Sequence, residues 1–175
     1  MKLSKIYKSL LKENNSLTAS TERDLQKIGK SLSNNKKVQS IVLNAFKKNP
    51  KAFDILDKKI GKILPISEND SDFSLNLDNL EKLSLDLSKN IDIEINESLK
   101  DTLKVALKVL KLLGIGSMDD VIMTIIKEVI EDRFIDAVSA GGSSTLNSIA
   151  LIITIATVVL SIIRNARKNN LKSAI

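Results

Sequence analysis

Eighteen consecutive residues without a charge, Leu146 to Ile163, constrain this chain more than any other stretch. A basic tail of Arg164, Arg167, Lys168 and Lys172 follows at once, and no charged residue lies between Asp136 and Arg164. Water cannot solvate such a segment as an isolated helix, so a membrane or a deep protein core must take it in. As a helix rising about 1.5 Å per residue, these 18 residues reach about 27 Å, just short of a hydrocarbon core of about 30 Å.

The segment has two kinds of face. Asn147, Ala150, Thr154, Thr157 and Ser161 recur at alternating spacings of three and four, which sets them on one side of a helix, and Arg164 and Lys168 continue the stripe. Ile152, Ile153, Ile155, Val159, Leu160 and Ile163 cover the rest and define a membrane-facing or core-facing surface. Small residues let a second helix approach closely, which is how helices associate in lipid. The stripe is therefore a candidate helix-packing seam, either in a membrane or at a tight crossing inside a soluble bundle.

Charge gives conflicting signs about topology. The basic tail favours a cytoplasmic C-terminal side, and the acidic excess of Glu128, Glu131, Asp132 and Asp136 before the segment favours the opposite side for what precedes it. The first residues, Met1 to Lys8, show neither an apolar core of signal-peptide type nor a small-residue cleavage site. The expectation is cytoplasmic synthesis without a signal peptide. The apolar helix is then a core helix, a tail anchor set against the charge bias, or a segment that meets a membrane from within a particle.

The net charge of +6 conceals alternating blocks. Residues 1–64 carry a net +10, residues 65–99 a net −7, residues 100–145 a net −1 and residues 146–175 a net +4. Such alternation allows the chain to pair with itself or with neighbouring copies. The apolar share of 43% supports a packed core, and an aromatic share of 3% makes that core aliphatic.

Periodicity divides the chain into four parts. Residues 1–64 read as a small basic helical domain. Leu3, Ile6, Tyr7, Leu10 and Leu11 mark a first amphipathic helix. Leu25, Ile28 and Leu32 mark a second, and Val38, Ile41, Val42, Ala45 and Phe46 a third. A fourth opens at Asn49-Pro50, with Asn49 as the cap, and runs to about Leu64. Residues 65–96 read as an acidic linker with short strands, since Phe73/Leu75/Leu77, Leu83/Leu85/Leu87 and Ile91/Ile93/Ile95 alternate with polar residues. The expectation there is a three-stranded β-meander.

Residues 97–140 read as an amphipathic helical hairpin. Leu99, Leu103, Ala106, Leu107, Leu110 and Leu113 form the buried side of its first helix, and Lys100, Lys104, Lys108 and Lys111 form a basic stripe. Gly114-Ile115-Gly116 ends that helix, and Ser117 caps the next, which carries Val121, Ile122, Ile125, Ile126, Val129, Ile130, Phe134 and Val138. Residues 141–175 comprise a Gly141-Gly142-Ser143-Ser144 joint, the apolar helix and the basic tail. The fold class is mainly α, with the small acidic strand element between a basic helical domain and a C-terminal three-helix apolar unit.

Little chemistry is available to such a chain. It has no His and no Cys, which removes the commonest general base, the commonest metal ligand and any thiolate nucleophile. Glu128, Asp132 and Asp136 share a helix face but lack a second carboxylate helix, so they read as a solvated face and no metal or other cofactor is expected. The Gly114-Ile115-Gly116-Ser117 run lacks the lysine of a phosphate loop. The chain is expected not to be an enzyme.

A role in structure or interaction remains. The expected function is a component of a larger assembly, docking through its apolar helix into a membrane or into partner helices, with a virion, such as that of a phage, as one setting. A membrane-perturbing role of holin-like, toxin-like or ejected kind is the alternative. So is non-specific nucleic-acid binding by residues 1–64, through the pairs Lys36-Lys37, Lys47-Lys48 and Lys58-Lys59. Partners are accordingly other subunits or a second copy, membrane lipid, or nucleic acid.

Overall fold

Thr18 caps the first helix of the described residues. Its side-chain oxygen accepts the backbone N–H of Thr21 at 3.1 Å and opens helix α1, Ala19–Ser33. The computed structural model describes residues 17–64, 73–91, 99–130 and 144–174. The expected first helix, Leu3 to Lys12, lies outside these residues. Asn35 caps the next helix by accepting from Lys37 N at 2.9 Å and Val38 N at 3.1 Å, so the Ser33-Asn34-Asn35 turn leads straight into α2, Lys36–Lys48. Pro50 starts α3, Pro50–Ile60, where its missing N–H costs nothing. Asn49 precedes it, but its side chain makes no capping bond, unlike the expectation. A 3₁₀ turn, Gly61–Ile63, finishes the block.

The expected β-meander is not found: no strand occurs among the described residues, and helix takes the place of its middle run. Leu83, Leu85 and Leu87 lie in α4, Leu77–Ser88, while Phe73 to Asn76 is an irregular segment; Ile93 and Ile95 lie outside the described residues. The reason is capping and packing. The Asn76 side chain accepts from Asn79 N at 3.2 Å, Asp78 sits in the positive first turn, and Leu80, Ser84 and Leu87 form a buried helical face. Ser84, which an alternating strand would turn to water, is fully buried and donates to the carbonyl of Leu80 at 2.7 Å. Leu is a good helix former and a poor strand former, and here that preference prevails over a short period-two pattern.

The segment before α4 is pinned to α1. Gln26 Oε1 accepts from Leu75 N at 3.0 Å, and the Phe73 ring lies directly over Gly29. Gly29 is thus not a weakness in α1 but the space into which an aromatic ring fits.

Helix α5, Leu99–Leu112, ends at Gly114, whose φ of +74° is the left-handed conformation that favours glycine. A 3₁₀ turn, Gly116–Met118, leads into α6, Asp119–Ile125, which widens into a π-helical turn over Ile126–Ile130. Ser117 lies in the 3₁₀ turn and does not cap α6; Met118 takes the cap position without a side-chain bond. Phe134 and Val138 lie outside the described residues, as do residues 141–143 of the glycine-serine joint. The final helix, α7, is Ser144–Ala174.

Among the described residues, all six helices before α7, α1 to α6, touch it. Buried side chains from every described part of the chain join one hydrophobic cluster around it, and Phe53, Phe73 and partly buried Phe46 are its aromatic members. The architecture is a helical bundle with one central helix and a wall of amphipathic ones.

Two predictions test this packing. Gly29→Ala drives a methyl group into the Phe73 ring, so it should destabilise the fold by about 1–3 kcal/mol in urea denaturation. Glu22 faces Asp78 and Glu81 of α4, and partial burial together with those two charges raises its pKa above the ordinary value. The folded chain therefore holds that proton more tightly than the unfolded chain, so stability falls as pH rises through the raised value and is restored as pH drops below the ordinary one. Glu22→Gln should stabilise the protein at neutral pH, and the difference from wild type should vanish in acid.

Candidate functional site: an apolar helix sheathed by its own chain

Every residue from Leu146 to Leu160 is buried, as are Ile162 and Ile163; only Ser161 is half-buried. Within Thr145–Asn169, a 25-residue stretch long and apolar enough to cross a membrane, 94% of the apolar window lies inside the protein. Length and composition are shared by membrane spans and by the core helices of bundles, and here α1 to α6 enclose the helix. The seam of Asn147, Ala150, Thr154, Thr157 and Ser161 is covered by the chain's own helices. So is the larger face of Ile152, Ile153, Ile155, Val159, Leu160 and Ile163.

Apolar packing makes a large contribution to holding α7 in place. Eleven Leu, Ile and Val side chains of the segment are buried. At about 1.5–3 kcal/mol each, they contribute a gross gain of roughly 15–30 kcal/mol before chain entropy is counted. The two threonine hydroxyls bond within the helix itself: Thr154 donates to Ala150 O at 2.8 Å and Thr157 to Ile153 O at 2.6 Å. Neither ties α7 to its neighbours. Both would stay satisfied if the helix moved to another apolar surrounding.

Two ion pairs attach α7 to the sheath where the apolar segment ends. Arg164 donates to Asp57 Oδ1 at 2.5 Å and Arg167 to Asp54 Oδ1 at 2.8 Å, joining α7 to one face of α3. Arg167 also lies over the Phe46 ring, 5.2 Å from its centre, and Phe46 meets Phe53 edge to face. Gly61 makes room for the first pair, since a Cβ there would stand 2.8 Å from Asp57 Oδ1 and 3.0 Å from Arg164 Nη2. The Arg167–Asp54 pair is exposed and the Arg164–Asp57 pair half-buried at the surface, so each stabilises by about 1 kcal/mol.

The lysine pairs of the first block are exposed but dispersed. Lys36-Lys37 open α2, Lys47-Lys48 close it, and Lys58-Lys59 close α3. The two pairs on α2 are separated by about 16 Å along the helix axis, given a rise of about 1.5 Å per residue. Lys37 is engaged with Glu128 at 3.6 Å, a contact that gives Glu128 a role other than metal binding. Asp132 and Asp136 lie outside the described residues.

One face was misplaced by the sequence pattern. Leu107, expected in the core, is 46% exposed, and Val105 and Val109 take the buried positions beside Ala106, Leu110 and Leu113. Leu112 is 41% exposed on the other flank. The valines carried the missing signal, because including them rotates the apolar arc away from Leu107.

No protein family, curated protein or solved structure matches this chain. What it does must be argued from the sheathed helix.

The two kinds of attachment predict very different sensitivities. Ala150→Leu, which overfills a fully buried crossing, should cost about 1–3 kcal/mol of unfolding free energy. Asp57→Ala, at the exposed end, should cost at most about 1 kcal/mol in the same urea titration.

Proposed function

We propose that this is a non-enzymatic membrane-acting protein, which carries a membrane-competent helix in a sheathed, water-soluble form and delivers it to a bilayer. The observation that carries the reading is α7 itself: a charge-free segment close to bilayer-spanning length, enclosed by amphipathic helices and joined to α3 by two arginine–aspartate pairs at its basic end.

Physical chemistry supports two homes for such a helix. Apolar burial is non-directional, so hydrocarbon accepts the same side chains that the sheath accepts. The Thr154 and Thr157 hydroxyls carry their acceptors with them. Arg164 and Arg167 stand where a span would meet the headgroups, and their long stems reach outward to water. The segment is a few ångströms short of an average hydrocarbon core, a mismatch that a bilayer absorbs by local thinning.

A sheathed helix also removes the topology conflict of the sequence. A chain that folds first and inserts later needs neither an export signal nor passage of its preceding residues through the membrane. Such a protein suits delivery from a larger assembly, such as a virus particle, in which it is stored folded. The seam of Ala150, Thr154, Thr157 and Ser161 then has a second use, since released helices can associate through it in the bilayer.

The test uses the absence of tryptophan from the chain. Ser161→Trp places a single reporter at a half-buried position of α7. With vesicles of lipid brominated deep in the acyl chains, tryptophan emission should be quenched, the protein should survive an alkaline carbonate wash, and entrapped dye should leak. Emission that stays unquenched on protein-bound vesicles, with dye retained, would show that α7 serves only as a core and would sink the proposal.

A further inference from the structure

The exposed side of α5 has an arrangement unlike that of the other sheath helices. At about 100° per residue, Leu107, Lys111, Lys104, Lys108 and Leu112 follow one another around roughly 140° of the helix, in that order. All five are exposed. Three cations are thus flanked on both sides by the two exposed leucines of the described residues, and none of the three is ion-paired with any described residue. Lys59 of α3 adds a fourth cation at the C-terminal end of this face, where its side chain lies beside Gly114.

From this we infer that α5 is the face that docks first, and that its occupant is the surface of an anionic lipid bilayer. The inference rests on the membrane-acting reading above and names the partner and the side of approach. Charge complementarity selects an anionic surface, because each lysine close to such a leaflet strengthens partitioning by about fivefold. The flanking leucines select a bilayer over a polyanion such as nucleic acid. Leucines set beside cations can enter the boundary between headgroups and acyl chains while the lysines stay among the phosphates. Phosphodiester chains offer leucine nothing comparable.

The position of this face relative to α7 gives docking a consequence. The opposite side of α5 is buried in the core, through Val105, Ala106, Val109, Leu110 and Leu113, and α5 packs directly on α7. Docked on a bilayer, α5 has lipid on one side and the core that holds the apolar helix on the other. Helix α5 then acts as the removable wall of the sheath.

The experiment is vesicle co-sedimentation of the full chain, carrying the Ser161→Trp reporter. Phosphatidylglycerol vesicles are compared with phosphatidylcholine vesicles, at low and high salt. Two variants change only exposed side chains: Leu107→Ser with Leu112→Ser, and Lys104→Gln with Lys108→Gln and Lys111→Gln. Wild type should prefer the anionic vesicles. The lysine variant should lose on the order of a hundredfold in partitioning on them. The leucine variant should bind weakly even at low salt.

Circular dichroism and urea denaturation establish that both variants remain folded. Binding of both variants equal to wild type overturns the docking face. Should the wild-type reporter still be quenched in that case, the membrane-acting reading stands and only this inference falls. If instead wild type sediments through α5 but its tryptophan is never quenched, docking stands and insertion falls. Equal binding to neutral and anionic vesicles overturns the electrostatic part.

Discussion

Burial of α7 is the constraint on which the rest of the structure depends. A helix that is apolar all round cannot be the surface element of a water-soluble fold, so the chain must supply enough amphipathic helix to enclose it. Six helices do so, and their apolar stripes find their partner in the same central rod. The sheath is thus as dependent on α7 as α7 is on the sheath. Charge is left to the outside, where Lys, Asp and Glu residues form isolated pairs of small energetic weight.

The division between packing and polar attachment bears on how such a bundle can open. Close-packed interiors resist small deformations and yield through larger rearrangements. In α7 the packing term is large but indifferent to whether protein or hydrocarbon supplies the contacts. The pairs of Arg164 with Asp57 and Arg167 with Asp54 add direction to that packing at the basic end of the helix, at a small energetic weight.

Helical elements with a cap or a stop residue were legible in the sequence. Asn35, Pro50 and Gly114 sit at real boundaries, and the uncharged run from Leu146 to Ile163 announced both its helix and its burial. The acidic stretch misled because leucines at every second position satisfy a strand pattern and, at positions 80 and 87 with Ser84 between, a helical one too. Local alternation over five residues is weaker information than a capped twelve-residue helix with a complementary surface to pack on. For the site, the sequence offered the seam and the apolar face but not what covered them, since enclosure is a property of the whole bundle. Leu107 shows the same limit on a smaller scale: which leucine of an amphipathic helix faces out depends on where the neighbouring helices stand.

The order of the helices along the chain adds a further consequence. Helix α7 follows every wall helix in sequence, so the walls leave the ribosome before the rod they enclose. Until α7 emerges, the apolar stripes of α1 to α6 have no common partner. Cooperative folding of the bundle therefore waits for synthesis of α7. The same order brings the most apolar segment out only after the helices that enclose it have been made, which favours its capture by the bundle over exposure to water.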